Sequence, residues 1–165
     1  MNPAETRSVS RAKAHATGHC GAYTAKNFNP VHNLGRLIAR SRMAITEAFD
    51  RELAEFDITA AQYVILMSLA NREASCASGL CRGMSYDPGA MTRMLDRLER
   101  RGLVRRVPRP NDRRAADLAL TEEGRAVCPK LREAAIRVLN RFTQGFSSEE
   151  VRALESLLER LLANE

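Results

Sequence analysis

Nine arginines fall between Asp87 and Arg114: Arg93, Arg97, Arg100, Arg101, Arg105, Arg106, Arg109, Arg113 and Arg114. They face only four carboxylates in that stretch, Asp87, Asp96, Glu99 and Asp112, while the whole 165-residue chain carries a net charge of +6. Nearly all of the excess charge is therefore concentrated in one short segment. A solvated charged face usually mixes signs more evenly, so a local excess of this kind marks a surface that meets polyanion phosphates. The choice of arginine over lysine points the same way. A planar guanidinium forms paired hydrogen bonds to guanine edges or phosphate oxygens, which an ammonium does not.

Other chemistries find little support. The chain has no Gly-rich phosphate loop, no GxSxG, no HExxH and no carboxylate pair that the pattern places in a pocket, so the expectation is a protein that is not an enzyme. Cys20, Cys76, Cys81 and Cys128 show neither a CxxC pair nor metal-ligand spacing. His15, His19 and Cys20 lie close in sequence but lack an evident fourth ligand, so no metal and no cofactor is expected. No uninterrupted apolar run of about 18 residues occurs, and the first twenty residues lack a secretory apolar region. A cytoplasmic protein without a membrane segment is the expectation.

The elements around the arginines follow from periodicity and capping. Residues 1–29 are polar and aperiodic, read as a mobile arm. Residues 30–165 read as a single domain. Leu34, Leu37, Ile38, Ile45, Ala48, Phe49, Leu53 and Phe56 recur at three and four, which predicts an amphipathic helix over about 30–56. Thr59 with Gln62 makes a capping box for a second helix through Tyr63, Ile65, Leu66 and Leu69. Ser75 is placed to cap a short third helix. Asp87 before Pro88 opens a fourth, with Met91, Met94, Leu95 and Leu98 inward and Gly102 as its stop. "LVRRV" and "ADLAL" then alternate as the strands of a hairpin whose tip holds Pro108, Pro110, Asn111 and Asp112. Thr121 starts a fifth helix and the Ser147/Glu150 capping box a sixth, rich in leucine.

This order predicts a mainly α fold with a small β-hairpin wing, a winged helix-turn-helix over about 59–120. An α-helix fits the DNA major groove, where base edges are distinguishable, and a thin arginine-tipped hairpin reaches the narrow minor groove beside it. With the Met/Leu stripe inward, Pro88, Gly89, Ala90, Thr92, Arg93 and Arg97 are left for the DNA face. Gly89 and Ala90 allow close approach, Arg93 is the candidate for base readout, Thr92 for base or phosphate, and Arg97 for phosphate. Asp96 and Glu99 read as a solvated pair or as partners of neighbouring arginines.

The stretch "TRMLDRLERRGLVRRVPRPNDRRAADLALTEEG" resembles the signature region of the MarR family of winged-helix regulators. The matching pieces are Leu98-Glu99, Gly102-Leu103-Val104, the DxR motif Asp112-Arg113-Arg114, and the LTxxG motif Leu120-Thr121-Glu122-Glu123-Gly124. The resemblance implies a homodimeric repressor on a pseudo-palindromic operator in double-stranded DNA. Its dimerisation helices would be about 30–56 and 121–163. Arg114 would enter the minor groove, Arg113 share the wing contact or bond phosphate, and Asp112 brace the wing against an arginine. Release by a small aromatic acid effector is implied too, with His32, Arg36, Arg40, Tyr63 and Met67 as candidates for ligand binding.

The leucine stripe of the last helix needs a partner surface independently of any resemblance, either its own domain or a second copy. Two other readings of function stand beside the effector-released repressor. One is a nucleoid-type structural DNA binder with little sequence preference. The other is a repressor that senses thiol oxidation.

Overall fold

The structure is a computed structural model that describes residues 21–109 and 112–164; the side chains of residues 109–115 lie outside the described set. Six helices and one antiparallel hairpin follow in the order α1 (Leu34–Leu53), α2 (Ala60–Ala70), α3 (Ala77–Met84), α4 (Pro88–Arg100), β1 (Val104–Arg109), β2 (Asp112–Leu120), α5 (Glu122–Phe142) and α6 (Ser148–Leu162). A 3-10 turn, Ala54–Phe56, extends α1. The described chain divides into a unit ending at Leu37 and a unit starting at Ile38.

Of the expected arm, residues 21–29 have local order of their own. The Thr24 carbonyl accepts from the amides of Asn27 and Phe28. The rings of Tyr23 and Phe28 meet edge-on, 5.8 Å between centroids. The Tyr23 hydroxyl accepts from the Leu34 amide at 2.9 Å, satisfying one donor at the start of α1. His15, His19 and Cys20 lie outside the described residues.

In the second unit the caps fall where hydrogen-bonding chemistry requires them. Thr59 and Gln62 exchange side-chain and backbone bonds at the head of α2, as do Ser147 and Glu150 at the head of α6. The Asp87 carboxylate accepts from the Ala90 amide, and Pro88 occupies the first helical position of α4, where its missing N–H costs nothing. Only α3 departs from the expected pattern. Its N-cap is Cys76, whose side chain makes no capping bond and instead shares a hydrogen bond with the Ser78 hydroxyl at 3.3 Å. Ser75 is drawn away instead, and its carbonyl accepts from the Leu118 amide of β2 at 2.7 Å.

The core is built from one stripe of each of α1 to α5. Leu53, Ile65, Leu66, Leu80, Met91, Leu98, Leu131 and Val138 are fully buried, with Leu103, Val104, Leu118 and Leu120 sealing it below the hairpin. The inward stripe of α4 is therefore the one periodicity assigned. α5 is fixed against the end of α1 by Arg137 and Glu52 at 2.7 Å, with Arg141 3.7 Å from the same carboxylate. α6 differs from every other long helix, because none of its residues is buried.

Candidate nucleic-acid interface

Asp87 and Pro88 set the entry of α4 so that its first two turns stand free. Pro88, Gly89, Thr92, Arg93 and Arg97 are exposed and Ala90 is half-buried, while Met91, Leu95 and Leu98 are buried on the opposite side. Side chains on a helix lean toward its N-terminus. Arg93 does so, and its guanidinium lies over Gly89, where an added Cβ would sit 3.5 Å from Nη1. Gly89 thus leaves room for the arginine to lie along the leading turn. The Thr92 hydroxyl donates to the Pro88 carbonyl at 2.8 Å, so toward DNA it is left as an acceptor. That narrows the expected role of Thr92. Phosphate oxygens cannot donate, so a base amino group suits it better.

The wing follows α4 through Gly102, whose φ of +68° turns the chain as a side-chain-bearing residue would resist. β1 and β2 pair from Val104 with Leu120 to Pro108 with Ala116, and an irregularity between Pro108 and Arg109 leads to the pairing of Arg109 with Asp112. Backbone register places Asp112, Arg113 and Arg114 at the distal start of β2, beyond Pro108. The side-chain roles expected of these three lie outside the described residues.

What holds the wing to the helix is Arg106. Its guanidinium hydrogen-bonds Asp96 at 2.6 Å and also Glu99, and its amide donates to the Glu99 carboxylate at 3.2 Å. The contact to Asp96 does most to hold the guanidinium in its charged form, with the field of the two carboxylates adding to it. Both acids of α4 are thereby engaged by one arginine of the wing. One arginine of the basic segment is thus committed within the protein, and it offsets one of the two negative charges on α4 while holding both carboxylates in place. A second tie, from Arg101 to the carbonyls of Phe56 (2.8 Å) and Asp57, fixes the end of α4 to the α1–α2 junction.

The LTEEG segment closes the assembly from below. Thr121 donates from its hydroxyl to the Gly102 carbonyl at 2.5 Å and accepts from the Gly124 amide at 2.9 Å. Its own amide reaches the Leu103 carbonyl at 3.1 Å. One threonine thus caps α5 and pins the start of the hairpin. Gly124 packs directly beneath Leu103, with no space for a Cβ.

Replacing Arg106 by alanine frees Asp96 and Glu99 at the DNA face and loosens the wing. Duplex affinity is expected to fall roughly tenfold, about 1.4 kcal/mol. Because no phosphate contact is removed, the slope of log affinity against log salt should stay that of the parent. A slope shallower by about one would instead place Arg106 on a phosphate.

Residues 58–116, from the start of α2 into the wing, match the family model described as MarR family. The multiple antibiotic resistance protein MarR of Escherichia coli is 38% identical over 142 residues, covering 84% of this chain and 97% of that protein. The chain belongs to the MarR family.

The regulator PecS of Dickeya dadantii is 31% identical over 127 residues, 75% of this chain and 76% of its own length. Among solved structures, wild-type E. coli MarR without ligand aligns with a TM-score of 0.69 at 36% identity, over 79% of this chain and 98% of that one. A cysteine-to-serine variant of E. coli MarR complexed with operator DNA aligns with a TM-score of 0.71 at 36% identity, over 78% and 93%. The winged-helix fold read from the sequence is the fold of these structures. Among the described residues no single helix is long and apolar enough to cross a membrane.

Within this MarR-family chain, the five effector candidates separate. His32 and Arg36 are exposed in the first unit and Arg40 is exposed in the second. Tyr63 and Met67 are packing residues on the core, and the Tyr63 ring lies 5.4 Å from that of Phe49. Burial raises the Tyr63 hydroxyl above its ordinary pKa. Cys128 is buried, its thiol donates to the Gly124 carbonyl at 3.0 Å, and burial pushes its pKa up, so it stays a protonated, weakly reactive thiol. Cys76 and Cys81 are half-buried on either side of the first turns of α3.

Arg106 and Arg101 are the residues that sequence reasoning passed over. Composition places both in a basic surface, whereas the structure ties Arg101 to the α1–α2 junction and makes Arg106 the partner of Asp96 and Glu99, the second of the two alternatives for that pair. A signal for Arg106 was present in the alternation of β1, where it shares a strand face with the buried Val104 and so points toward α4.

Proposed function

We propose that this MarR-family chain binds a pseudo-palindromic operator in double-stranded DNA as a homodimer and represses transcription until a small-molecule effector releases it. The observation that carries the reading is the free leading face of α4, with Arg93 over Gly89, beside a wing that Arg106 fixes to the same helix. A coating protein has no need of a hairpin held at a set angle to a groove-sized helix. Arg93 reads a base edge in the major groove, Arg97 holds phosphate, and Arg113 and Arg114 bring the wing to the minor groove. The unburied leucines of α6 supply the dimer contact, and two-fold symmetry sets half-site centres roughly 34 to 36 Å apart. The relatives are transcription regulators, and the E. coli variant was captured with operator DNA, which supports the reading.

Fluorescence anisotropy of the purified chain against the duplex upstream of its own gene, and against a scrambled duplex, tests it over a salt series. A preference of about 10³ or more for one duplex is expected. Equal affinity for both, and for footprinted genomic fragments, would favour the nucleoid-type reading. Arg93→Ala is expected to cost about 1–3 kcal/mol and relax the preference at one base pair of each half-site. Arg114→Ala should weaken operator binding while sedimentation still reports the parent's oligomer. Parental affinity in either variant would remove that residue from the interface.

A further inference from the structure

Four helices converge on the segment from Asp50 to Ala60, which carries the chain out of α1, through the 3-10 turn and into α2. α5 holds its first part, where Arg137 bonds Glu52 at 2.7 Å and lies 3.7 Å from Glu55 on the 3-10 turn. The end of α1 and α5 thus form one side of a joint, and α5 on that side also bears the exposed apolar residues Ile136, Leu139 and Phe142. α2 and α4 form the other side, which carries the DNA-reading surface.

Two side chains cross between the sides. From α1 the Asp50 carboxylate accepts from the Ala60 amide at 2.6 Å, the first amide of α2 and one that Thr59 leaves open by accepting from Gln62. From the end of α4 Arg101 donates to the carbonyls of Phe56, at 2.8 Å, and of Asp57, and its guanidinium lies 3.6 Å from the Asp57 carboxylate. Those carbonyls close the 3-10 turn, where Asp57 takes a left-handed φ of +52° and the chain leaves the line of α1. Each crossing bond therefore satisfies a backbone group that a helix end leaves without a partner. Neither side chain belongs to the core. Asp50 and Arg101 are exposed, and the buried Leu53 and Ile58 anchor the segment beneath them, so the two bonds fix an angle between elements that fold without them.

We propose that Asp50 and Arg101 are positioning residues for the spacing of operator half-sites, locking the DNA-reading helices to the α1–α5 side so that a dimer presents its two recognition helices at one separation. The inference rests on the homodimer reading above. Neither side chain has to touch DNA. In a two-fold dimer a swing of α4 about this joint is made in both copies, and the two displacements add in the distance between the recognition helices. One base pair added between half-sites moves them about 3.4 Å apart and turns one against the other by roughly 35°. A stiff joint rejects such an operator. A loose joint follows it, but must be ordered on every duplex it binds, which lowers the affinity for the correctly spaced operator as well.

The test measures anisotropy of the full chain on the footprinted operator, on duplexes with one base pair more or one fewer at its centre, and on a duplex holding a single half-site. The parent is expected to lose about 10²-fold on either altered spacing. Arg101→Ala and Asp50→Ala should bind the unaltered operator roughly three- to tenfold more weakly, yet lose no more than about tenfold further when the spacing is altered. Both should match the parent on the single half-site. Asp50→Asn keeps an oxygen for the Ala60 amide and should return the parent's spacing profile. An equal loss on every duplex, the half-site included, would show that the two side chains only support the DNA-reading unit and would overturn the proposal. Variants with the parent's spacing profile would overturn it too. A parent indifferent to spacing would sink the homodimer reading and the joint with it, whereas a spacing-sensitive parent with unchanged variants would sink the joint alone.

Discussion

Leu154→Glu and Leu158→Glu combined are expected to leave a folded monomer that binds operator about 10² to 10⁴ times more weakly than the parent. α6 has a capping box at its head and five leucines, Leu154, Leu157, Leu158, Leu161 and Leu162, that are between 37% and 68% exposed. Ile136, Leu139 and Phe142 on α5 and Phe146 after it are uncovered as well, at 39% or more. A soluble domain does not usually leave so continuous an apolar surface in water, and in the proposed homodimer a second copy of the same surface would cover it. Leu154 and Leu158 stand one turn apart on one side of the helix, so two glutamates place charge at the centre of the contact. Both sites are already exposed and glutamate is a good helix former, so circular dichroism should be that of the parent. The loss in operator affinity is the loss of joined half-sites, because a monomer forfeits the effective concentration of its second recognition helix. Sedimentation at the parent's mass would show that α6 is not the interface.

Gly124→Ala is expected to destabilise the chain by about 3 kcal/mol or more, through overlap with backbone rather than with a side chain that can move aside. A Cβ at this position would collide with the carbonyl oxygen of Leu103 and come within 3.0 Å of its carbonyl carbon. Leu103 is itself held there, because its carbonyl accepts from Thr121 and its side chain is buried in the core. Relief requires the start of the hairpin to lift off α5, and the wing is carried with it. For a chain of this length the melting temperature should fall by roughly 6 to 12 °C at fixed chain concentration. Gly83→Ala is the matched control. It lies in α3 with nothing within 4 Å of the added Cβ, and there the change should be neutral or stabilising by up to about 1 kcal/mol. A Gly124→Ala variant that melts with the parent would mean that the hairpin and α5 pack less closely than the structure shows.

The element order was legible because its signals are local. Asp87 before Pro88, Thr59 with Gln62, Thr121, and Ser147 with Glu150 each satisfy orphan amides within three residues, so spacing alone exposes them. The stripe of Met91, Leu95 and Leu98 told which side of α4 is buried, and by subtraction which side is free for DNA. The misplaced cap of α3 had the opposite character. Ser75 reads as an N-cap in isolation, but β2, more than forty residues on, takes its carbonyl.

The arginine-rich segment shows the same division. Composition said that the surface meets phosphate, but it treated nine arginines alike. Which of them stay free depends on which carboxylates fold next to them, and that is decided by contacts across the chain: Arg106 of β1 with Asp96 and Glu99 of α4, Arg101 with the turn at Asp57. The effector candidates failed to separate in the sequence for a related reason. Tyr63 and Met67 look like cleft residues on one turn of helix, and only the structure shows that both are half-buried and pack on the core, Tyr63 against Phe49.

By itself the sequence determined the helix order, the hairpin, the buried stripe of α4 and the positive charge of the α4–hairpin segment, because hydrophobic period, capping and charge act over a few residues. Tertiary structure alone decided which arginines are partnered and why Gly124 admits no side chain, because each depends on groups brought together from distant parts of the chain.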